Sequence, residues 1–276
     1  MSAGKSCKDA FNWSLAQASA CFLRAFLADW GVEHILRAVL KSRGIVLNAF
    51  DSAGQKTTFL TIGPMEAQPV FFLHGTPGSA LSWWPYLNNP GNFRMIAVDR
   101  PGFSPINRAF PDPVGDMEIL ALLLRKTAET RPAIVVGHSM GGGLAAKLAA
   151  DCPQHVKNLV LIGASLDPSL EQVKPVQYAA RKAPLKFLMT RTTRNSNEEL
   201  INYPDLLRDL QPDLKKIHCP VLIVHARDDG LVPYENVKFI KEQFTGTRSI
   251  SEILYDSGGH AVNASKYKDI LAALEG

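Results

Sequence analysis

Ser139 lies in Gly137-His138-Ser139-Met140-Gly141-Gly142, directly after the apolar run Ala133-Ile134-Val135-Val136 and before a helix-like stretch from Leu144 to Ala150. A G-x-S-x-G phrase between a strand and a helix makes a sharp turn that exposes the serine hydroxyl, and small flanking residues let the backbones approach. The pentapeptide alone is common; its setting gives it meaning. The competing reading of Ser139 is a plain helix N-cap. As a nucleophile it needs a base, because a serine hydroxyl reacts poorly at neutral pH, and that base needs a carboxylate to orient it.

Both are present in the right order. His260 ends Ser257-Gly258-Gly259-His260, a small-residue loop after the last predicted strand, from which an imidazole can reach across a sheet. His74 and His138 lie inside other motifs and read as structural, while His34, His155, His218 and His225 read as surface or satisfied core residues. The carboxylate is expected in the loop after Val221–Val224, which runs Arg227-Asp228-Asp229-Gly230-Leu231-Val232-Pro233. Asp229 begins its D-x-x-V-P phrase and is the first choice; Asp228, expected to shape the loop or to pair with a base, is the alternative. The oxyanion formed in acyl transfer needs two preset N–H donors. One is the amide of Met140; the other is assigned to Thr76, in the turn His74-Gly75-Thr76-Pro77-Gly78-Ser79. Pro77 has no N–H of its own but stiffens the loop that presents its neighbour. This chemistry needs no metal and no organic cofactor, and the turn lacks the spacing of a phosphate-binding loop.

The elements that must carry these residues follow from the apolar runs. Ile45-Val46-Leu47 and Thr57–Ile62, with Asp51–Gly54 between them, predict two antiparallel strands joined by a turn. Val70–Leu73, Met95–Val98, Ala133–Val136, Leu159–Ile162, Val221–Val224 and Ile253–Tyr255 are apolar at every position, so they are buried on both faces. Their alternation with helix-like stretches predicts an α/β fold with a mostly parallel central sheet and helices on both faces. The alternation fails once, over about fifty residues from Ser165 to Lys216, where weak helical stretches near Val173–Thr190 and Glu198–Leu210 predict a small helical cap.

Composition sets the outer bounds. The chain has 276 residues, 46% of them hydrophobic, with 30 Lys+Arg against 26 Asp+Glu and a net charge of +4. One large domain is expected. The bases form no run and are not interleaved with aromatics, so nucleic acid is not expected as a partner. Cys7, Cys21, Cys152 and Cys219 show no metal-ligand spacing, and free thiols suit a reducing compartment. The four prolines between Ala67 and Phe93 break the longest uncharged stretch. Cytoplasm is the default location. Residues 1–44 read as a helical extension preceding a domain over 45–276 with its cap at about 166–216. Val32, Ile35, Leu36, Val39 and Leu40 share one helical face there, and six bases against three acids allow a membrane-surface contact. The expectation favoured over this is packing on the domain or on a partner. Ala18-Ser19-Ala20-Cys21 faintly resembles an export cleavage site, the alternative location, but Asp9, Asn12 and Gln17 interrupt the apolar region such a signal requires.

The phrases around Thr76, Ser139, Asp229 and His260, together with Asp99-Arg100-Pro101-Gly102-Phe103-Ser104, resemble the α/β-hydrolase superfamily from about residue 45 to 276. The resemblance implies the α/β-hydrolase fold, a Ser-Asp-His triad and a structural role for Asp99–Ser104. Some members place the acid after the preceding strand, which makes Asp167 a further alternative. Epoxide hydrolases and haloalkane dehalogenases carry aspartate where Ser139 stands, and proline iminopeptidases tend to a more glycine-rich oxyanion loop. What remains is a serine hydrolase of the esterase, lipase, thioesterase or carbon–carbon-bond hydrolase kind, and the first expectation is cleavage of the carboxylic ester of a small or medium acyl substrate. A thioester or vinylogous 1,5-diketone is the alternative substrate, and a non-catalytic ligand-binding member is the minor one. Two features bear on substrate. Between Ser169 and Ser196 in the cap, Lys174, Arg181, Lys182, Lys186, Arg191 and Arg194 outnumber the lone acid Glu171, which offers a place for an anionic group unless they form a solvated face. Leu81, Trp83, Trp84, Tyr86, Phe187, Leu188 and Met189 fit either an acyl pocket or the core.

Overall fold

The computed structural model describes residues 33–52, 55–103 and 113–275. The first N-terminal helix, the cleavage-site resemblance, Cys7, Cys21 and Ser104 lie outside these residues. Helix α1 (Glu33–Ser42) ends as its sequence directs. Gly44 takes φ +71°, and the amides of Gly44 and Ile45 turn back to the carbonyls of Lys41 and Leu40.

Eight strands follow: β1 (Val46–Ser52), β2 (Gln55–Ile62), β3 (Gln68–Leu73), β4 (Phe93–Asp99), β5 (Ala133–His138), β6 (Val156–Ile162), β7 (Val221–Ala226) and β8 (Ile250–Tyr255). They form one sheet in the order β1-β2-β4-β3-β5-β6-β7-β8. The pairs β1·β2 and β2·β4 are antiparallel and the rest parallel. Alternate residues of each central strand feed opposite cores, as the period of a strand requires. Phe71, Leu73, Ile96, Val98 and Val135 pack with α3 (Pro113–Thr127), α4 (Met140–Asp151) and α8 (Glu235–Gln243). Val70, Phe72, Met95, Ala97 and Val136 pack with α1, α2 (Trp84–Leu87), α9 (Val262–Ser265) and α10 (Tyr267–Glu275).

The segment between β6 and β7 holds α5 (Pro175–Ala180), α6 (Leu185–Leu188) and α7 (Arg191–Leu210). Helix α7 begins at Arg191, seven residues before the helical stretch expected from Glu198, across residues of poor helix propensity. The Thr190 hydroxyl caps it by accepting from the Thr193 amide at 3.3 Å, and Asn195 is buried with its Nδ2 donating to Gly102 O at 2.7 Å. Tertiary contacts supply what local propensity lacks. Among the described residues Cys152 and Cys219 are free thiols, and no helix is long and apolar enough to cross a membrane.

Candidate active site

The parallel strands β3, β5, β7 and β8 each end in a loop that carries one of the expected residues, so all four loops gather at the C-terminal edge of the sheet, where open α/β sheets bind ligands. Ser139 forms the turn between β5 and α4 at φ 57°, ψ −129°, and is the one non-glycine residue at positive φ among the described residues. That conformation costs about 1–3 kcal/mol and is held by its neighbours. The Ser139 amide donates to Ile162 O at 3.0 Å, and its carbonyl accepts from the Gly142 amide at 2.8 Å. Ser139 stands at the N-cap position but its side chain makes no cap hydrogen bond, so the plain-cap reading fails. The turn fits only because Gly141 has no side chain: a Cβ there would lie 2.4 Å from Leu73 O.

The expected base and its expected acid are joined. His260 Nδ1–H donates to Asp229 Oδ2 at 2.8 Å, which leaves Nε2 as the ring nitrogen free to accept a proton. Asp229 is locked in turn, its Oδ1 accepting from the amides of Leu231 and Val232 at 2.9 and 3.0 Å. Burial alone would raise the Asp229 pKa, but the hydrogen bond and charge of His260 and these two amides together hold it below the usual carboxylate value. Asp228 instead accepts from the amides of Gly258 and Gly259, shaping the loop that presents His260, and Asp167 accepts from the amide and hydroxyl of Ser169. Neither is the carboxylate bonded to His260. No hydrogen bond joins Ser139 Oγ to His260 in this conformation; such contacts commonly tighten only with substrate in place.

His138 is structural, and what it supports is the loop of His260. Its ring lies against that of His260, centroids 4.7 Å apart, and its Nε2–H donates to the His260 carbonyl at 2.8 Å. Burial first, and repulsion from the His260 ring second, push its pKa down to about 3, so it stays a neutral donor that fixes the height of the His260 backbone.

The β3 loop is built by a network that sequence reasoning missed. Arg100 Nε donates to His74 O at 3.0 Å and Nη2 to Gly75 O at 3.1 Å, while the Arg100 amide donates to His74 Nε2 at 3.1 Å. With Nε2 accepting, Nδ1 of His74 carries the proton and donates to Gly75 O at 2.7 Å. Burial and the neighbouring Arg100 charge keep His74 neutral. Because the Gly75 carbonyl is pinned toward Arg100 and His74, the Thr76 N–H in the same planar peptide points the opposite way. Gly75 itself lies against Ser139: a Cβ there would lie 2.8 Å from Ser139 Cβ. Glu199 of α7 closes the network from the cap. Its carboxylate pairs with Arg100 Nη1 and Nη2 and accepts from Thr76 Oγ1 at 2.7 Å, with side chains only 3% and 9% exposed for Arg100 and Glu199. Arg100 stood in a phrase read as scaffold, and nothing local marked Glu199. Asp99, also in that phrase, is scaffold as expected, accepting from Thr58 Oγ1 at 2.6 Å and the Ala80 amide at 2.7 Å.

Of the residues that fit either an acyl pocket or the core, Leu81 and Trp84 pack against the core and Met189 lines a cavity in the cap. Trp83 and Tyr86 are fully buried in the core against Phe72, with centroids 4.7 and 5.3 Å from its ring, and Phe187 and Leu188 face outward. A small recess of about 30 Å³ does lie beside Met140, walled by Met117, Leu120, Leu144, Leu206, Arg100 and Glu199.

An eight-stranded, mostly parallel sheet with a strained serine after its central strand and an Asp-His pair on later loops defines the hydrolase class of α/β proteins. The sequence pattern of the alpha/beta hydrolase family matches residues 70–274, and the chain belongs to that family. It is similar to a RutD protein of Stutzerimonas stutzeri named for carbamate hydrolysis, 24% identical over 72% of this chain and 87% of the relative. It is also similar to a non-heme chloroperoxidase of Streptomyces lividans, 28% identical over 66% of this chain and 82% of the relative. Among solved structures, the esterase EaEST from Exiguobacterium antarcticum superposes with a TM-score of 0.62 at 21% identity, covering 83% of this chain and 98% of that one.

Proposed function

We propose that the chain is a serine hydrolase that cleaves the carboxylic ester of a small or medium acyl substrate through an acyl-enzyme. Ser139 Oγ attacks the acyl carbon as His260 Nε2 takes its proton, and the oxyanion is held by the amides of Met140 and Thr76. The intermediate collapses with loss of the alcohol, which leaves with the proton from His260. Water, deprotonated by the same nitrogen, then releases the acid and regenerates Ser139. Asp229 stabilises the imidazolium and holds its tautomer. The observation that carries the reading is the 2.8 Å bond from His260 to a carboxylate already fixed by two amides, on the same sheet edge as a serine at φ 57°. The reading treats residues 45–276 as the catalytic domain, 166–216 as its cap and 1–44 as an extension. It is tested by hydrolysis of nitrophenyl esters from acetate to palmitate: saturable turnover lost in Ser139→Ala supports it, and turnover unchanged in that variant refutes it.

One observation favours the thioester or 1,5-diketone reading. A cavity of about 240 Å³ in the cap is lined by Arg181, Lys186 and Arg194 against the single acid Glu198, and it shares Asn202 with the recess beside Met140. An anionic substrate group would suit it. Turnover of a coenzyme A thioester or a carboxylate-bearing diketone that exceeds nitrophenyl ester turnover and falls steeply with salt selects this reading.

A further inference from the structure

Water should drive large apolar side chains inward, so their clustering on one surface asks for a partner. Five of the nine large apolar side chains exposed among the described residues lie between Val176 and Leu188. They sit on α5 and α6, the two short helices of the cap, and the most exposed are Phe187 at 76% and Leu188 at 80%. Along the sequence that carries them the charge has one sign. From Gln172 to Asn197 the chain has six Lys or Arg and no Asp or Glu. Lys174, Lys182 and Lys186 are exposed and form no ion pair among the described residues, whereas Arg181 is paired with Glu198.

We infer that this face of the cap docks on the surface of an anionic phospholipid bilayer. Phe187, Leu188 and their apolar neighbours enter the boundary between headgroups and acyl chains, and the lysines meet the lipid phosphates; apolar side chains interleaved with cations and free of acids are what such an interface selects. A protein partner of mixed charge would be met by charges of both signs, which this stretch lacks. The face is distinct from the N-terminal extension, and the inference does not depend on the catalytic assignment. Helix α5 packs on α7, and α6 packs on α5 and accepts from Arg194 of α7 through the Lys186 carbonyl; α7 carries Glu199 to the loop beside Ser139, so docking would bring that loop toward the bilayer.

The test is cosedimentation of the full chain with vesicles of phosphatidylglycerol and phosphatidylcholine, and of phosphatidylcholine alone. The expected result is binding to the anionic vesicles only, weakened by high salt and by Lys182→Glu with Lys186→Glu, and reduced on the order of tenfold or more by Phe187→Ser with Leu188→Ser. A circular-dichroism melt of each variant shows that it folds. No binding to anionic vesicles overturns the inference. So does binding that the Phe187/Leu188 variant leaves intact, which would move the contact to another surface such as residues 1–32. Sedimentation velocity supplies a third contrary outcome: a dimer that the same variant dissociates would show that a second copy covers the face.

Discussion

At the scale of single residues, each proposed role rests on which groups hold the side chain. Asp229→Asn keeps the size of the acid but removes the charge and acceptor that set the His260 tautomer, so kcat is expected to fall by about 10⁴-fold with little change in KM. Asp228→Asn, which touches only the Gly258 and Gly259 amides, is expected to cost about 1–2 kcal/mol of stability and to leave most of the turnover, and the contrast in kcat tells the two carboxylates apart. Gly75→Ala places a methyl 2.8 Å from Ser139 Cβ, closer than normal contact; the shift of Ser139 that relieves this overlap is expected to slow turnover by about 10²-fold in a protein that still melts cooperatively. Asp99 is a probe of pH. Burial raises it from an ordinary 3.8 to about 6, so between these values the folded chain holds a proton that the unfolded chain has lost, and its contribution to stability falls as pH rises through that window. Measured against Asp99→Asn by denaturant unfolding, the wild type is expected to lose about 2 kcal/mol on going from about pH 4 to about pH 7. An unchanged difference would contradict the buried, ionisable state of that carboxyl. Ser139, Asp229 and His260 were legible because each is announced by its neighbours: small residues around a turn, a D-x-x-V-P phrase, a glycine pair before a histidine.

At the scale of elements, legibility stopped where a function is shared between distant segments. The strands could be read because burial on both faces leaves runs with no polar position, as in Val70–Leu73 and Ala133–Val136. The start of α7 could not, since Thr192, Thr193 and Asn195 are helical there through burial and hydrogen bonds to Thr190 and Gly102 rather than through propensity. The Arg100–Glu199 pair joins positions 99 residues apart, and a lone glutamate on a cap helix looks like any solvated charge until α7 is packed over the β3 loop. The aromatic residues of α2 were ambiguous for the same reason, because spacing alone does not say which side of a helix faces the sheet. The pair yields a prediction for the cap as an element. Glu199→Ala strands a buried guanidinium and is expected to cost about 3–5 kcal/mol, read by chemical denaturation. Glu199→Gln keeps the shape and some of the hydrogen bonds, so it is expected to fold while losing kcat, because the Gly75 carbonyl is then held less firmly and the Thr76 amide with it. A Gln variant with wild-type kcat would detach the cap from the geometry of this loop.

At the scale of the whole molecule, the strand order brings four loops from strands as far apart in sequence as β3 and β8 to one edge, and this explains how residues 74 to 260 can serve one reaction. The sheet and its two cores fix the positions of the loops; the cap, with its basic cavity and outward apolar face, is where substrate choice would reside. Relatives named for carbamate hydrolysis and for peroxidation share the family, so family membership leaves the substrate to be found by experiment. The account stands or falls on Ser139 being an activated nucleophile. The direct measurement is labelling of the intact chain with a fluorophosphonate, with the modified residue located by peptide mass spectrometry. One phosphonyl group per chain, confined to Ser139, absent in Ser139→Ala and slowed by about 10³-fold or more in His260→Ala, is the predicted result. No labelling of the folded wild-type chain, or labelling that persists in Ser139→Ala, would contradict it.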